Sequence, residues 1–219
     1  MSTPDPQPIF YYDLGSPECY LMAETIMAAL PVVPEWEPVL ARQLGGLAPG
    51  REREAIERLA AQHGLLALRW PRSWPPDTRG AMLAATYAKR AGRAVAFSLA
   101  AFRQAFAGGR DLGDQDTVLL AGAACELHPA AVLKGSGLRS VREALDRAVA
   151  RAAGAGVRTL PAIEIAGQVF TGEDAVARAA LALGGASVDL RGPQHAAAGP
   201  GLDGADKPQL AAAPGGAPA

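Results

Sequence analysis

Phe10-Tyr11-Tyr12-Asp13-Leu14-Gly15-Ser16-Pro17-Glu18-Cys19-Tyr20-Leu21 is the stretch on which the reading of the fold turns. A β-prone run of aromatics stops at Gly15, and Ser16-Pro17 then has the form of a helix start. Serine is a strong N-cap, and proline is favoured at the first helical position, where its missing N–H would have no partner in any case. A strand, a tight turn and a helix N-terminus therefore meet at Ser16. Such a junction aims free backbone N–H groups and the positive end of a helix dipole at one point, which favours a thiolate or another anion.

Working outward, Ile9 to Tyr12 reads as a buried strand and Pro17 to Leu30 as a helix stopped by Pro31. Val32-Val33 with Trp36 to Leu40 supplies a second extended segment, so the opening is a parallel β-α-β unit. Arg42 to Pro49 is Gly-rich and irregular. Arg51 to His63 carries Ile56, Leu59 and Ala60 at helical spacing and is closed by Gly64. Trp70-Pro71-Arg72-Ser73-Trp74-Pro75-Pro76-Asp77-Thr78 is too proline-rich for helix or central strand and reads as a rigid aromatic loop that walls a pocket.

From Arg79 onward helical spacing gives about four helices, Ala81–Ala91, Ala94–Ala107, Gln115–Leu127 and Ser140–Ala153, with His128-Pro129, Gly135 and Gly137 read as a separator. Strand character returns at Ala162–Ile165 and Gln168–Phe170 as a hairpin turning on Ala166-Gly167, and Gly172 to Leu183 reads as a last helix. The order β-α-β, helices, β-β-α is an α/β thioredoxin fold with a large all-helical insertion. Residues 8–40 and 156–184 make the discontinuous thioredoxin-like domain, and residues 41–155 make the mainly helical insertion. Residues 185–219 form a Gly/Pro/Ala-rich tail with almost nothing to bury, expected to be disordered.

Composition narrows the function classes. With 21 Lys plus Arg against 22 Asp plus Glu, a net charge of -1 gives no electrostatic ground for a nucleic-acid or anionic-membrane partner, and a small-molecule substrate fits better. The start of the chain lacks the basic and apolar pattern of a signal peptide, and no stretch reaches the roughly 18 apolar residues of a membrane span, so a cytoplasmic location is expected. Cys19 and Cys125 are the 2 cysteines and, like His63, His128 and His195, show no metal-ligand spacing, so no metal is expected.

Two motifs carry a family resemblance. One is the aromatic strand running into Asp13-Leu14-Gly15-Ser16-Pro17-Glu18-Cys19-Tyr20-Leu21; the other is Gly156-Val157-Arg158-Thr159-Leu160-Pro161 followed by the hairpin and Thr171-Gly172-Glu173-Asp174. Together they resemble the DsbA superfamily, and within it the branch of 2-hydroxychromene-2-carboxylate isomerases and kappa-class glutathione transferases. By that resemblance Ser16 stands where a dithiol oxidoreductase has its first cysteine and Cys19 where it has the second. A hydroxyl cannot exchange disulfides, but it can donate a hydrogen bond to the thiolate of bound glutathione or another low-molecular-weight thiol.

The resemblance also makes Pro161 the cis-proline facing the helix start and Leu160 the residue whose backbone pairs with the thiol cofactor. Glu173 and Asp174 would hold its amino end, although Ala175 stands where an arginine is common and Glu173 would repel a carboxylate. Trp74-Pro75-Pro76-Asp77-Thr78 resembles a Pro-Pro-Asn segment near the substrate, so Tyr12, Trp74 and Asp77 are the expected substrate-pocket residues. An ionised Asp77 accepts hydrogen bonds only, where an amide also donates. The activity implied is a thiol-dependent isomerisation of an aromatic-derived compound, or a conjugation. A thiol-disulfide oxidoreductase acting through Cys19 and a non-catalytic binding protein stay open as alternatives. The family is often dimeric, which leaves a homodimer open as well.

Overall fold

The structure, a computed structural model, describes residues 7–45 and 52–184. The amino terminus, the later part of the loop after Arg42 and the tail expected to be disordered lie outside the described residues. A four-stranded sheet has the order β2-β1-β3-β4, with β1 Ile9–Tyr12, β2 Glu35–Pro38, β3 Ala162–Ile165 and β4 Gln168–Thr171. β1 runs parallel to β2 and antiparallel to β3, and β3 pairs antiparallel with β4. That topology, split by helices between β2 and β3, is the expected thioredoxin fold with its helical insertion. β2 is shorter than expected: Val33 is left exposed, and Pro38 is tolerated because the strand is at the sheet edge.

Helix α1, Pro17–Ala29, starts at the Ser16 cap. The insertion contributes α2 Arg53–Gln62, α3 Arg79–Arg90, α4 Ala94–Phe106, α5 Gln115–Ala123, α6 Pro129–Ser136 and α7 Arg139–Gly154, and α8 Ala175–Ala182 closes the fold. Two expectations are corrected. The segment read as a separator is itself α6, because His128 Nδ1 accepts from Ala130 N at 3.2 Å and Pro129 takes the first helical position, together a complete N-terminal cap. The last helix begins three residues later than Gly172, whose φ of +91° is left-handed and outside helical space. The hairpin turn matches its sequence: Ala166 and Gly167 both have positive φ, 50° and 82°, as a type I′ turn requires.

Alternation along the sheet separates two kinds of packing. Phe10, Tyr12 and Trp36 project to one side as an aromatic cluster, with Phe10 and Trp36 edge to face at 5.0 Å and Tyr12 meeting Phe102 of α4 at 5.9 Å. Glu37, in register with Tyr11, lies on the other side. Its buried carboxylate takes Lys89 of α3 at 2.7 Å and Arg151 of α7 at 2.6 Å. Burying that charge is sustainable only because both cations reach it, and the pair of bonds clamps the insertion to the sheet. Among the described residues, no helix is long and apolar enough to cross a membrane.

Candidate functional site

The turn that joins β1 to α1 is held by one buried acid. Asp13 Oδ1 accepts from Gly15 N and from the Thr78 hydroxyl, each at 2.9 Å, and Oδ2 accepts from Ala41 N at 2.9 Å. One carboxylate thus ties the turn, the 3-10 turn Ala41–Gln43 after β2, and the residue preceding α3 into a single junction. Burial pushes the Asp13 carboxyl above the ordinary range, while hydrogen bonds from Gly15, Ala41 and Thr78 and the charge of Arg42 pull it back.

Ser16 is fully buried and caps α1, its Oγ accepting from Cys19 N at 3.1 Å. The same oxygen donates its proton to Glu18 Oε2, also at 3.1 Å. Ser16 N is bonded to Asp13 O and Tyr20 N to Ser16 O, and Pro17 has no N–H. Of the first-turn donors, the Glu18 N–H alone is left without a partner among the described residues. The expected cluster of free N–H groups therefore narrows to one, because capping and the turn use the others.

Across from this helix start, the Leu160–Pro161 peptide bond is cis. The backbone of Leu160 makes no hydrogen bond among the described residues, so its N–H and C=O are available to a ligand strand. Between α1 and this edge lies a cleft of about 280 Å³. Glu18, Met22, His63, Leu160, Pro161 and Glu173 are among its walls, and Thr25, Thr159 and Thr171 add hydroxyls. Among the described residues neither lysine nor arginine lines it, and its ionisable side chains are those of Glu18, Glu173 and His63.

The remaining expected site residues do not converge on it. Tyr12, expected in a substrate pocket, is fully buried and bonded to Ser98 Oγ at 2.6 Å inside the aromatic cluster. Its face of the strand is the core face, which periodicity could place on a side but not assign to core or site. Trp74 packs edge to face on Trp70 at 5.3 Å and on Phe106 of α4 at 5.8 Å, so it supports the loop and lines neither cleft. Asp77 lines a second cleft of about 340 Å³ on the other side of the turn, with Asp13, Gly15, Arg42, Pro76 and Thr78. It pairs there with Arg42 at 3.6 Å and accepts from Arg79 N at 3.1 Å.

Asp174 is also displaced from its expected task. Its side chain is 69% exposed and pairs with Arg178 at 3.1 Å, whose guanidinium also donates to Thr171 O at 2.6 Å. The cleft-facing acid of that segment is Glu173. Sequence reasoning missed Glu18, His63 and the threonines as cleft residues. Glu18 was foreseeable from its place two residues after the Ser16 cap, whereas His63 is brought in by the packing of α2 on α1 and leaves no local signal.

Cys19 is fully buried, and loss of solvation drives its thiol far above the ordinary range despite hydrogen bonds to Ser16 and the Asp13 backbone. Thiolate, not thiol, reacts, so native protein at neutral pH should leave Cys19 unmodified by iodoacetamide, with alkylation appearing only on unfolding in urea. Mass spectrometry of trapped peptides checks this; rapid native labelling of Cys19 would contradict it. Among the described residues, no group of three or more His, Cys, Asp or Glu is placed to hold a metal ion.

Comparison with solved structures finds the same architecture at low identity. A structure of 2-hydroxychromene-2-carboxylate isomerase superposes with a TM-score of 0.70 at 16% identity, covering 81% of this chain and 94% of that one. A probable DsbA oxidoreductase from Streptomyces coelicolor gives 0.64 at 20% identity, covering 89% and 97%. The cytosolic disulfide reductase DsbM from Pseudomonas aeruginosa, in its structure with GSH, gives 0.58 at 17% identity, covering 76% and 89%. Comparison with curated protein sequences gives no match. A family model for the DSBA-like thioredoxin domain matches residues 9–184, the whole span from β1 to the end of α8, and the chain belongs to that family.

Proposed function

We propose that this protein is a small-thiol-dependent enzyme, of the isomerase or transferase kind, in which the reactive sulfur arrives with a ligand. The observation that carries this reading is the contrast at the start of α1: Cys19 is sealed in the core with its thiol disfavoured from ionising, while Glu18, whose N–H is an orphan, lines a cleft and the buried Ser16 hydroxyl lies directly behind it, bonded to the Glu18 carboxylate. Ser16 takes the place of a first redox cysteine. Glutathione or a similar low-molecular-weight thiol lies along Leu160-Pro161 with its sulfur toward Ser16, and the α1 dipole favours the thiolate. The similarity to an isomerase structure and to a reductase solved with GSH supports a thiol ligand. The second substrate, a small molecule, enters from the cleft lined by Arg42 and Asp77, which meets the same turn from the far side. A cytoplasmic location accords with free Cys19 and Cys125 and with the cytosolic relative.

Disulfide exchange through Cys19 is the weaker reading, since Cys19 is fully buried and its burial disfavours the thiolate. The test is a thermal-shift screen with glutathione, cysteine and cysteamine. A thiol at a hundredfold excess over its Kd adds about 2.7 kcal/mol to native stability, a shift of several degrees; no shift with any thiol would remove the reading. Ser16→Gly should follow, because glycine retains most of the capping energy, costing only about a few tenths of a kcal/mol, while deleting the hydroxyl. Thiol-dependent turnover is expected to fall about tenfold or more with the melting temperature nearly unchanged.

A further inference from the structure

At the start of α4 the fold gathers hydrogen-bond donors without supplying an acceptor. The capping residue, Arg93, offers no side-chain cap, and the first helical bond runs from Phe97 N to Arg93 O at 3.0 Å. The N–H groups of Ala94, Val95 and Ala96 therefore have no partner among the described residues. They edge a hollow of about 370 Å³, walled on its other sides by Glu35, Trp36 and Lys89. Trp36 is only 2% exposed, and its Nε1–H is buried without a hydrogen bond, alone in that respect among the described side chains. An indole nitrogen can only donate, and a buried donor left unmet is costly, so the counterpart it calls for is an acceptor.

The carboxylates nearby are already engaged. Glu35 turns to Lys89 at 2.7 Å, and Lys89 also holds the buried Glu37 at 2.7 Å. Glu126, after α5, meets Arg93 at 3.3 Å, but both side chains are at least half exposed, and a pair of that kind yields easily to another partner. We propose that this hollow binds a phosphate-type oxyanion, free or carried on a small molecule as its monoester. The Trp36 Nε1–H, the first-turn N–H groups of α4 and the Arg93 guanidinium receive it. A tetrahedral oxyanion presents several acceptor oxygens to donors that converge from different elements, and the α4 dipole with Arg93 supplies the positive potential. Lys89 stays on Glu37 and adds its charge at the rim; Glu35 opposes the anion and limits its affinity. The hollow shares no lining residue with the thiol cleft, so the two sites stand or fall separately.

The indole N–H resonances of the 3 tryptophans provide the readout. Isotope-labelled wild type is titrated with sodium phosphate and with phenyl phosphate at constant ionic strength, against a sodium chloride control. Trp36→Phe identifies the Trp36 peak by its loss; if that variant does not fold, the peak is assigned from wild-type spectra alone. Saturable movement of the Trp36 peak is expected with phosphate, while the Trp70 and Trp74 peaks stay fixed and chloride has no effect. Arg93→Gln removes a cation from an exposed position and should raise the midpoint about fivefold or more. Tighter binding of phenyl phosphate supports the site as one for a monoester, and tighter binding of inorganic phosphate supports it as one for the free ion. A Trp36 peak that stays still with both phosphates, or moves equally with chloride, would overturn the proposal and leave water as the partner of the indole. An Arg93→Gln midpoint equal to that of wild type would place the anion elsewhere and overturn it as well.

Discussion

Asp13→Ala is expected to lower the unfolding free energy by about 3–5 kcal/mol and to abolish ordered binding at the α1 terminus. The magnitude follows from what is stranded. Gly15 N, Ala41 N and the Thr78 hydroxyl, all in buried residues, lose their acceptor together, at about 1–3 kcal/mol for each unsatisfied group, and relief of the buried carboxylate and access of water from the adjoining cleft return part of the sum. The loss is also architectural. Three chain segments remote in sequence share this one side chain, so the turn that places Ser16 loses its registration to the loop carrying Asp77. Urea denaturation measures the first effect; a variant within about 1 kcal/mol of wild type would show that the carboxylate is not the organiser. Thr78→Val, which removes a donor instead of stranding one, should cost only about 1 kcal/mol.

The same group gives wild type a pH signature. Its folded-state proton affinity is raised, chiefly by burial, so over the window from the ordinary carboxylate range up to the raised value the native state binds more protons than the unfolded state. The contribution to stability is fully present below the unfolded value and declines as pH rises through the folded one. One such group changes stability by at most about 1.4 kcal/mol per pH unit. Urea midpoints of wild type should fall across that window relative to those of Asp13→Ala, which lacks the titration.

Gly135→Ala should cost about 2–3 kcal/mol, against the usual benefit of alanine in a helix. A Cβ at that position would lie 2.3 Å from Cδ2 and Cε2 of Tyr87, so α6 is seated with its backbone flat on the ring of a residue from α3. Either α6 lifts away or Tyr87 leaves its rotamer, and overpacking of this kind exceeds the gain of about 1 kcal/mol in propensity. Adding Tyr87→Ala to Gly135→Ala should restore part of the loss, and that non-additivity is the readout. Additive losses would place the cost elsewhere.

The contrast between these residues marks what the sequence by itself determined. The Ser16-Pro17 helix start, the β1 and hairpin strands, the type I′ turn at Ala166-Gly167 and the β-α-β, helices, β-β-α order were all legible, since each follows from interactions among residues a few positions apart. α6 was missed because its cap is a histidine whose role depends on side-chain geometry, not residue type. The site was legible in outline at Ser16 and Leu160-Pro161. Its inner chemistry was not: that Tyr12 and Trp74 pack inward, that Asp174 turns out to Arg178 while Glu173 faces the cleft, and that Glu18 holds the Ser16 proton were decided only by tertiary structure. Local sequence sets where a chain turns and what each face offers, but which face meets the core, the cleft or solvent depends on elements that arrive from distant parts of the chain, and burial then decides which groups ionise.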